Sequence, residues 1–319
     1  MNDYCIQVIS PARSLGLDFV TDNLESKANE NINKLGYKVS FGKNAKNINF
    51  LDSASVQDRV EDLHEAFESN NVDAILCGLG GFNSNQILPH LDFDLIKRNP
   101  KPICGYSDIT ALVNAIHHKT GLTTYLGPLY VSFSSAQNYS LESFKKMLTT
   151  KEPVQVEDSN DWSNPKWMDY YKDTRSLKNS GSIVINEGST KGKILGGNLI
   201  TFVQLMGTDY MPDIKDSILV IEDDDEITPA IFDSALIALS LHPDFPKING
   251  LLIGRFMYGS EMTESLLKEI IKNNTRISNI PIVANLDFGH SEPMITIPIG
   301  GTASIEASHS KGAKIIISH

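Results

Sequence analysis

Through residues 1–150 short apolar runs alternate with amphipathic ones, and a glycine or a cluster of turn residues closes most of them. Parallel strands can be joined only through a crossover, so this alternation confines the chain to a parallel sheet covered by helices on both faces. The runs at 5–10, 37–41, 72–77 and 102–105 read as strands. Helical spacing is predicted over 14–35, closed by Gly36, over 55–69 and 85–91, and over 109–119, closed by Gly121. Gly78, Gly80 and Gly81 follow the third strand directly, at the carboxyl edge where open sheets of this kind take ligands.

From 151 to 190 the periodicity disappears into a polar stretch that nonetheless carries Trp162, Trp167, Tyr170 and Tyr171. A connector accounts for the polarity but not for the aromatics, which need a packing partner or a ligand. Beyond it, strands at 193–195, 217–221, 250–253 and 280–284 and helices near 199–206 and 230–241 make a second, mixed α/β or β-rich unit. The expected organisation is therefore an N-terminal α/β domain over 1–150, a connector or substrate loop over 151–190, and a C-terminal domain over 191–319.

With 28 Lys and Arg against 39 Asp and Glu, the net charge of −11 argues against nucleic acid, which requires a basic surface. No basic leader precedes an apolar stretch, and no apolar run is long enough to span a bilayer, so a cytoplasmic protein without membrane contact is expected. Cys5, Cys77 and Cys104 are too few and too widely spaced for a disulfide framework or a metal knot.

Four local features carry chemistry. Gly105-Tyr106-Ser107-Asp108 places a serine hydroxyl at a strand-to-helix turn, although on this motif alone a helix cap by Ser107 or Asp108 is the readier explanation. Gly80-Gly81-Phe82-Asn83 lets backbone amides approach a substrate, or simply forms a tight turn. Glu222 ends the apolar strand 217–221 ahead of Asp223, Asp224, Asp225 and Glu226, a run that would ordinarily be a solvated loop. Asp287-Phe288-Gly289-His290 sets a histidine in a turn after another strand.

These pieces, in this order and together with Gly196-Gly197-Asn198-Leu199 and the segment from Gly289 to Gly300, resemble the LD-carboxypeptidase and microcin C self-immunity family of serine peptidases over nearly the whole chain. The resemblance implies an α/β fold: a Rossmann-like, glutamine-amidotransferase-like parallel sheet flanked by helices, followed by a C-terminal β-rich mixed α/β swivelling domain. It implies Ser107 as nucleophile, His290 as general base and Glu222 as its orienting carboxylate, with the amides of Gly81 and Asp108 as oxyanion hole. Gly80, Phe82, Asn83, Trp162 and Trp167 are the expected substrate contacts, a homodimer the expected assembly, and neither metal nor cofactor is expected. Imidazole activation of a serine hydroxyl, with a carboxylate fixing the imidazole, is sound chemistry for this set. With Ser107 in one domain and its partners in the other, domain geometry would control activity.

Rival classes fare worse on the same residues. His117 and His118 are adjacent, so on a helix they diverge by about 100° and cannot share an ion. The dinucleotide fingerprint fails where Asn83 replaces its final glycine. A non-catalytic binding protein of the same fold would not need all three triad positions filled. Within the family, murein-recycling members typically carry an arginine before the glycines where this chain has Leu79. That departure is more similar to the self-immunity branch, which cleaves a peptidyl or aminoacyl amide of a nucleotide-like group, than to the murein branch, which removes a terminal D-alanine from a tetrapeptide.

Overall fold

The computed structural model describes residues 4–49, 51–166 and 175–319. The first half contributes β1 (Tyr4–Ile9), β2 (Tyr37–Phe41), β3 (Ala74–Cys77), β4 (Ile103–Gly105) and β5 (Thr124–Leu126). Between them run α1 (Asp22–Lys34), α2 (Val56–Glu68), α3 (Phe93–Arg98) and α4 (Ile109–Thr120), with α5 (Asn138–Thr149) closing the unit. β1 to β5 are parallel to one another, as the alternation predicts.

The second half adds β6 (Val154–Val156), β7 (Asp161–Trp162), β8 (Leu177–Lys178), β9 (Ile183–Asn186), β10 (Gly188–Asn198), β11 (Ser217–Glu222), β12 (Gly250–Gly254), β13 (Ile282–Leu286), β14 (Ile297–Ile299), β15 (Thr302–Ser308) and β16 (Gly312–Ser318). Its helices are α6 (Leu199–Val203), α7 (Pro229–Ser240) and α8 (Glu264–Asn273). An eight-stranded mixed sheet runs β6-β16-β15-β10-β11-β12-β13-β9, so the fold is α/β throughout with a strand-rich second half. No helix among the described residues is long and apolar enough to cross a membrane.

Three expectations need correction. The helix expected over 14–35 begins only at Asp22, where the Thr21 side chain accepts from Leu24 N; the residues before it form loop, with Ser14 Oγ accepting from Gly16 N. The helix expected over 85–91 is a 3₁₀ segment, Ser84–His90, with Pro89 inside it. The stretch 151–190 is more than a connector, because β6 and β9 are the two edges of the large sheet.

β14 crosses between the halves. It lies after His290 in the chain, yet pairs antiparallel with β5 and completes the six-stranded sheet β14-β5-β4-β3-β1-β2. Buried side chains of both halves belong to one continuous apolar core.

Candidate active site

β4 ends at Gly105, α4 starts at Ile109, and Ser107 between them takes φ 62°. A non-glycine residue in the left-handed region costs roughly 1 kcal/mol and persists where the surroundings enforce it. Here the helix enforces it: Thr110 N donates to Ser107 O at 3.0 Å, and Tyr106 behind it is 1% exposed. Ser107 is half-buried and sits against Gly80, where a Cβ would lie 3.0 Å from Ser107 Oγ. A side chain at residue 80 would crowd the hydroxyl, so glycine suits the close approach of the β3 loop.

That loop is held from below. Asp108 Oδ2 accepts from Asn83 N at 2.9 Å and Ser84 N at 2.8 Å, while Ser84 Oγ donates to Asp108 O at 2.6 Å. Buried Arg59 donates to Asn83 O at 3.0 Å and to Pro11 O at 3.1 Å. Burial raises the Asp108 carboxyl above the usual aspartate range, although the bonds from Ser84 and Asn83 and the charge of Arg59 oppose the rise. The elbow and the glycine loop are thus one hydrogen-bonded unit.

The second half of the site is built from charge. Glu222, the last residue of β11, is 0% exposed, and its Oε2 accepts from His290 Nδ1 at 2.7 Å. Gly289, at φ 99°, brings the turn onto Glu222, since any Cβ there would run into the carboxylate. Burial disfavours a charged His290, but the Glu222 charge and hydrogen bond, with Asp224 and Asp223 behind them, outweigh it and raise the imidazole to about 9. Asp223 is 1% exposed, and its carboxyl is raised to about 8 by burial and by its carboxylate neighbours Glu222 and Asp224.

The two halves meet through Tyr106 and His290, whose rings pack edge to face with centroids 4.9 Å apart. This brings the imidazole beside the elbow. Among the described residues no hydrogen bond joins Ser107 Oγ to it, and such contacts commonly tighten only with substrate bound. The turn carrying His290 is anchored on both sides. Asp287 accepts from Arg255 Nη2 at 2.6 Å and from Ser159 N at 2.7 Å. Glu292 Oε1 accepts from Gln137 N at 2.6 Å and Ser140 Oγ at 2.8 Å.

Of the expected substrate contacts, Phe82 is 80% exposed on the glycine loop and free to meet a ligand. Asn83 departs from that role: it is buried, and its Nδ2 donates to Ser53 Oγ at 2.7 Å, so the side chain braces the loop. Trp162 is half-buried with its ring 4.6 Å from that of Tyr258 and 5.1 Å from the Arg255 guanidinium, packed on the brace of the histidine turn. Trp167 lies outside the described residues. Asp108 was expected to contribute only its amide; the carboxylate clamp, like the Arg59 and Arg255 braces, involves partners too distant in sequence to be read there.

A parallel sheet whose strand-to-helix elbow carries a left-handed serine, facing a buried carboxylate–imidazole pair, is the architecture of a serine hydrolase. Residues 6–127 match the LD-carboxypeptidase N-terminal domain and residues 191–305 the LD-carboxypeptidase C-terminal domain. The Bacillus subtilis protein YocD, a carboxypeptidase by name, is 42% identical over 95% of this chain and 93% of its own length. An MccF-like protein of Bacillus anthracis superposes with TM-score 0.95 at 42% identity, covering 99% of this chain and 97% of its own. The microcin C7 self-immunity protein MccF in complex with aspartyl sulfamoyl adenosine gives TM-score 0.88 at 29% identity, over 99% of this chain and 96% of its own. The chain belongs to the LD-carboxypeptidase family of serine peptidases.

Proposed function

We propose that the chain hydrolyses an amide in a small peptide or peptidyl or aminoacyl nucleotide through a Ser107–His290–Glu222 triad. The observation that carries this reading is the buried 2.7 Å bond from His290 Nδ1 to Glu222, beside the left-handed Ser107. With Nδ1 held by Glu222, Nε2 is the nitrogen that takes the Ser107 proton as Oγ attacks the carbonyl carbon. The oxyanion is received by the amides of Gly81 and Asp108, which the Asp108 carboxylate and Arg59 keep in place. His290 then returns the proton to the leaving nitrogen, and a water repeats the sequence on the acyl-enzyme.

For the substrate, the amide of a nucleotide-like group is preferred over a murein tetrapeptide. Residue 79 is a buried leucine, leaving the glycine loop without the arginine that would grip a carboxylate. One observation favours the second reading, removal of a terminal D-alanine: Arg13 packs against Gly81 and is paired with Asp52 only at 3.5 Å, so a cation does border the loop. An assay of both an aspartyl-sulfamoyl adenosine amide and a tetrapeptide ending in D-alanine decides. Higher kcat/KM on the amide is expected; higher kcat/KM on the tetrapeptide, lost in Arg13→Ala, reverses the preference. A cytoplasmic homodimer completes the proposal, and light scattering of the purified protein at the mass of one chain would remove the dimer.

A further inference from the structure

The proposed nucleophile follows β4 of the six-stranded sheet, the proposed base lies between β13 of the large sheet and β14 of the six-stranded one, and nothing in the triad itself sets the distance between them. Besides the Tyr106–His290 packing and the pairing of β14 with β5, a short set of buried contacts joins α4 to the end of β10. Thr110, 0% exposed, follows Ser107 by three residues and is bonded to it through the 3.0 Å contact from Thr110 N to Ser107 O. Its Oγ1 accepts from Asn198 N at 2.9 Å. One turn further along, Asn114, also 0% exposed, pairs with the backbone of Gly196 in both directions: Nδ2 donates to Gly196 O at 2.8 Å and Oδ1 accepts from Gly196 N at 3.1 Å. A side-chain amide here does what a neighbouring strand would do.

The far end of these contacts leads to the base. Asn198 is the register partner of Glu222 in the parallel pairing of β10 with β11, and Asn198 Nδ2 donates to Asp223 Oδ1 at 3.1 Å. Glu222 in turn holds His290. Gly197 lies directly under Thr110, and any Cβ on it would overlap the Thr110 hydroxyl and methyl. One path from Ser107 to His290 therefore runs through the buried Thr110, Asn198 and Glu222, beside the direct contact of Tyr106 with His290.

We infer that Thr110 and Asn114 are positioning residues that fix the nucleophile helix on the strand pair carrying the base, so that the Gly196-Gly197-Asn198 segment serves as the seat of this clamp. The inference rests on Ser107 and His290 being nucleophile and base. Misplacement of reacting groups by about 1 Å costs on the order of 10²-fold in rate.

The test compares Thr110→Val, Thr110→Ser, Asn114→Leu and Gly197→Ala with Ser107→Ala, reading kcat, KM, melting temperature and the rate at which a fluorophosphonate labels Ser107. Thr110→Val and Gly197→Ala are expected to lose about 10- to 100-fold in kcat and in labelling rate with KM within about twofold. Thr110→Ser, which keeps the acceptor, is expected to recover most of both. Thr110→Val that melts lower but labels and turns over like the parent, while Ser107→Ala is inactive, overturns the clamp alone. Equal losses in Thr110→Ser and Thr110→Val also overturn it, because the hydroxyl would then be irrelevant. An active Ser107→Ala overturns the nucleophile and the clamp together.

Discussion

The serine side and the histidine side of the site are held in place by different physics. Ser107 is positioned by backbone: a left-handed residue between strand and helix, backed by a loop whose amides are tied to Asp108. His290 is positioned by charge: a fully buried carboxylate against an imidazole, with Asp223 and Asp224 adding negative potential. The first arrangement survives loss of the serine side chain, because its carboxylate brace, Asp108, acts on the loop rather than on the hydroxyl. The second survives loss of neither side chain, because each member leaves the other unpaired in a low-dielectric site.

The largest expected effect separates activity from stability. Ser107→Ala is expected to lower kcat by about 10⁴-fold or more while unfolding stability stays within about 1 kcal/mol of the parent, because the strain lies in the backbone rather than in the hydroxyl. Denaturant unfolding beside the kinetics checks both halves of the statement. Retention of most of the activity would remove Ser107 from the chemistry.

His290→Ala is expected to match that kinetic loss but also to destabilise the fold by roughly 3–5 kcal/mol, since Glu222 is left buried without its partner. Glu222→Gln should cost somewhat less activity, on the order of 10³-fold, and adding it to His290→Ala should restore part of the lost stability. Triad members act as a unit, so a Ser107→Ala, His290→Ala double variant should be no slower than either single one. Stability of His290→Ala equal to that of Ser107→Ala would abolish the contrast between the two sides.

The pH dependence sharpens it further. A base must be neutral to accept a proton, and with His290 raised to about 9, kcat/KM should climb about tenfold per pH unit below that value and level off above it. Stability should move the opposite way. The folded-state value lies above the unfolded one of about 6.5, so the His290 contribution is complete below about 6.5 and disappears as pH rises through about 9. Asp223, raised to about 8, adds a loss of the same sign up to that pH, since the unfolded chain gives up its proton near 4. Glu222→Gln should shift the activity limb to lower pH; an unmoved limb would assign the titration to another group.

How much of this was legible in the sequence follows the same divide. The elbow could be read because strand, turn and helix are consecutive, and Gly80 with Gly81 announces a close approach one strand earlier. Glu222 and His290 stood out only through the family resemblance, since a carboxylate heading an acidic run and a lone loop histidine look solvated; in fact Asp223 is 1% exposed and His290 3%. The clamps of Asp108, Thr110 and Asn114 join residues 24 to 88 positions apart, a separation that leaves no periodic trace. β6 and β9 escaped because short, partly exposed edge strands need little apolar patterning, and β14 because Pro298 marks a strand only an edge can hold.

The smallest expected effect tests whether the aromatic wall belongs to the charged side or to the substrate. Trp162 lies against Arg255 and Tyr258, and Arg255 holds Asp287 three residues before His290, so Trp162 is a brace of the histidine turn on this geometry. A cation–π contact at a partly exposed site contributes about 0.5–1 kcal/mol. Trp162→Ala should therefore destabilise by about 1–2 kcal/mol once lost ring packing is added, and lower kcat only about two- to threefold, equally on the tetrapeptide and on the nucleotide-type amide. Trp162→Phe should recover most of both. A nucleobase stacking on the indole would instead raise KM for the nucleotide-type amide alone and leave the tetrapeptide untouched. That selective result would move Trp162 from the brace to the binding surface and would strengthen the nucleotide-type reading of the substrate.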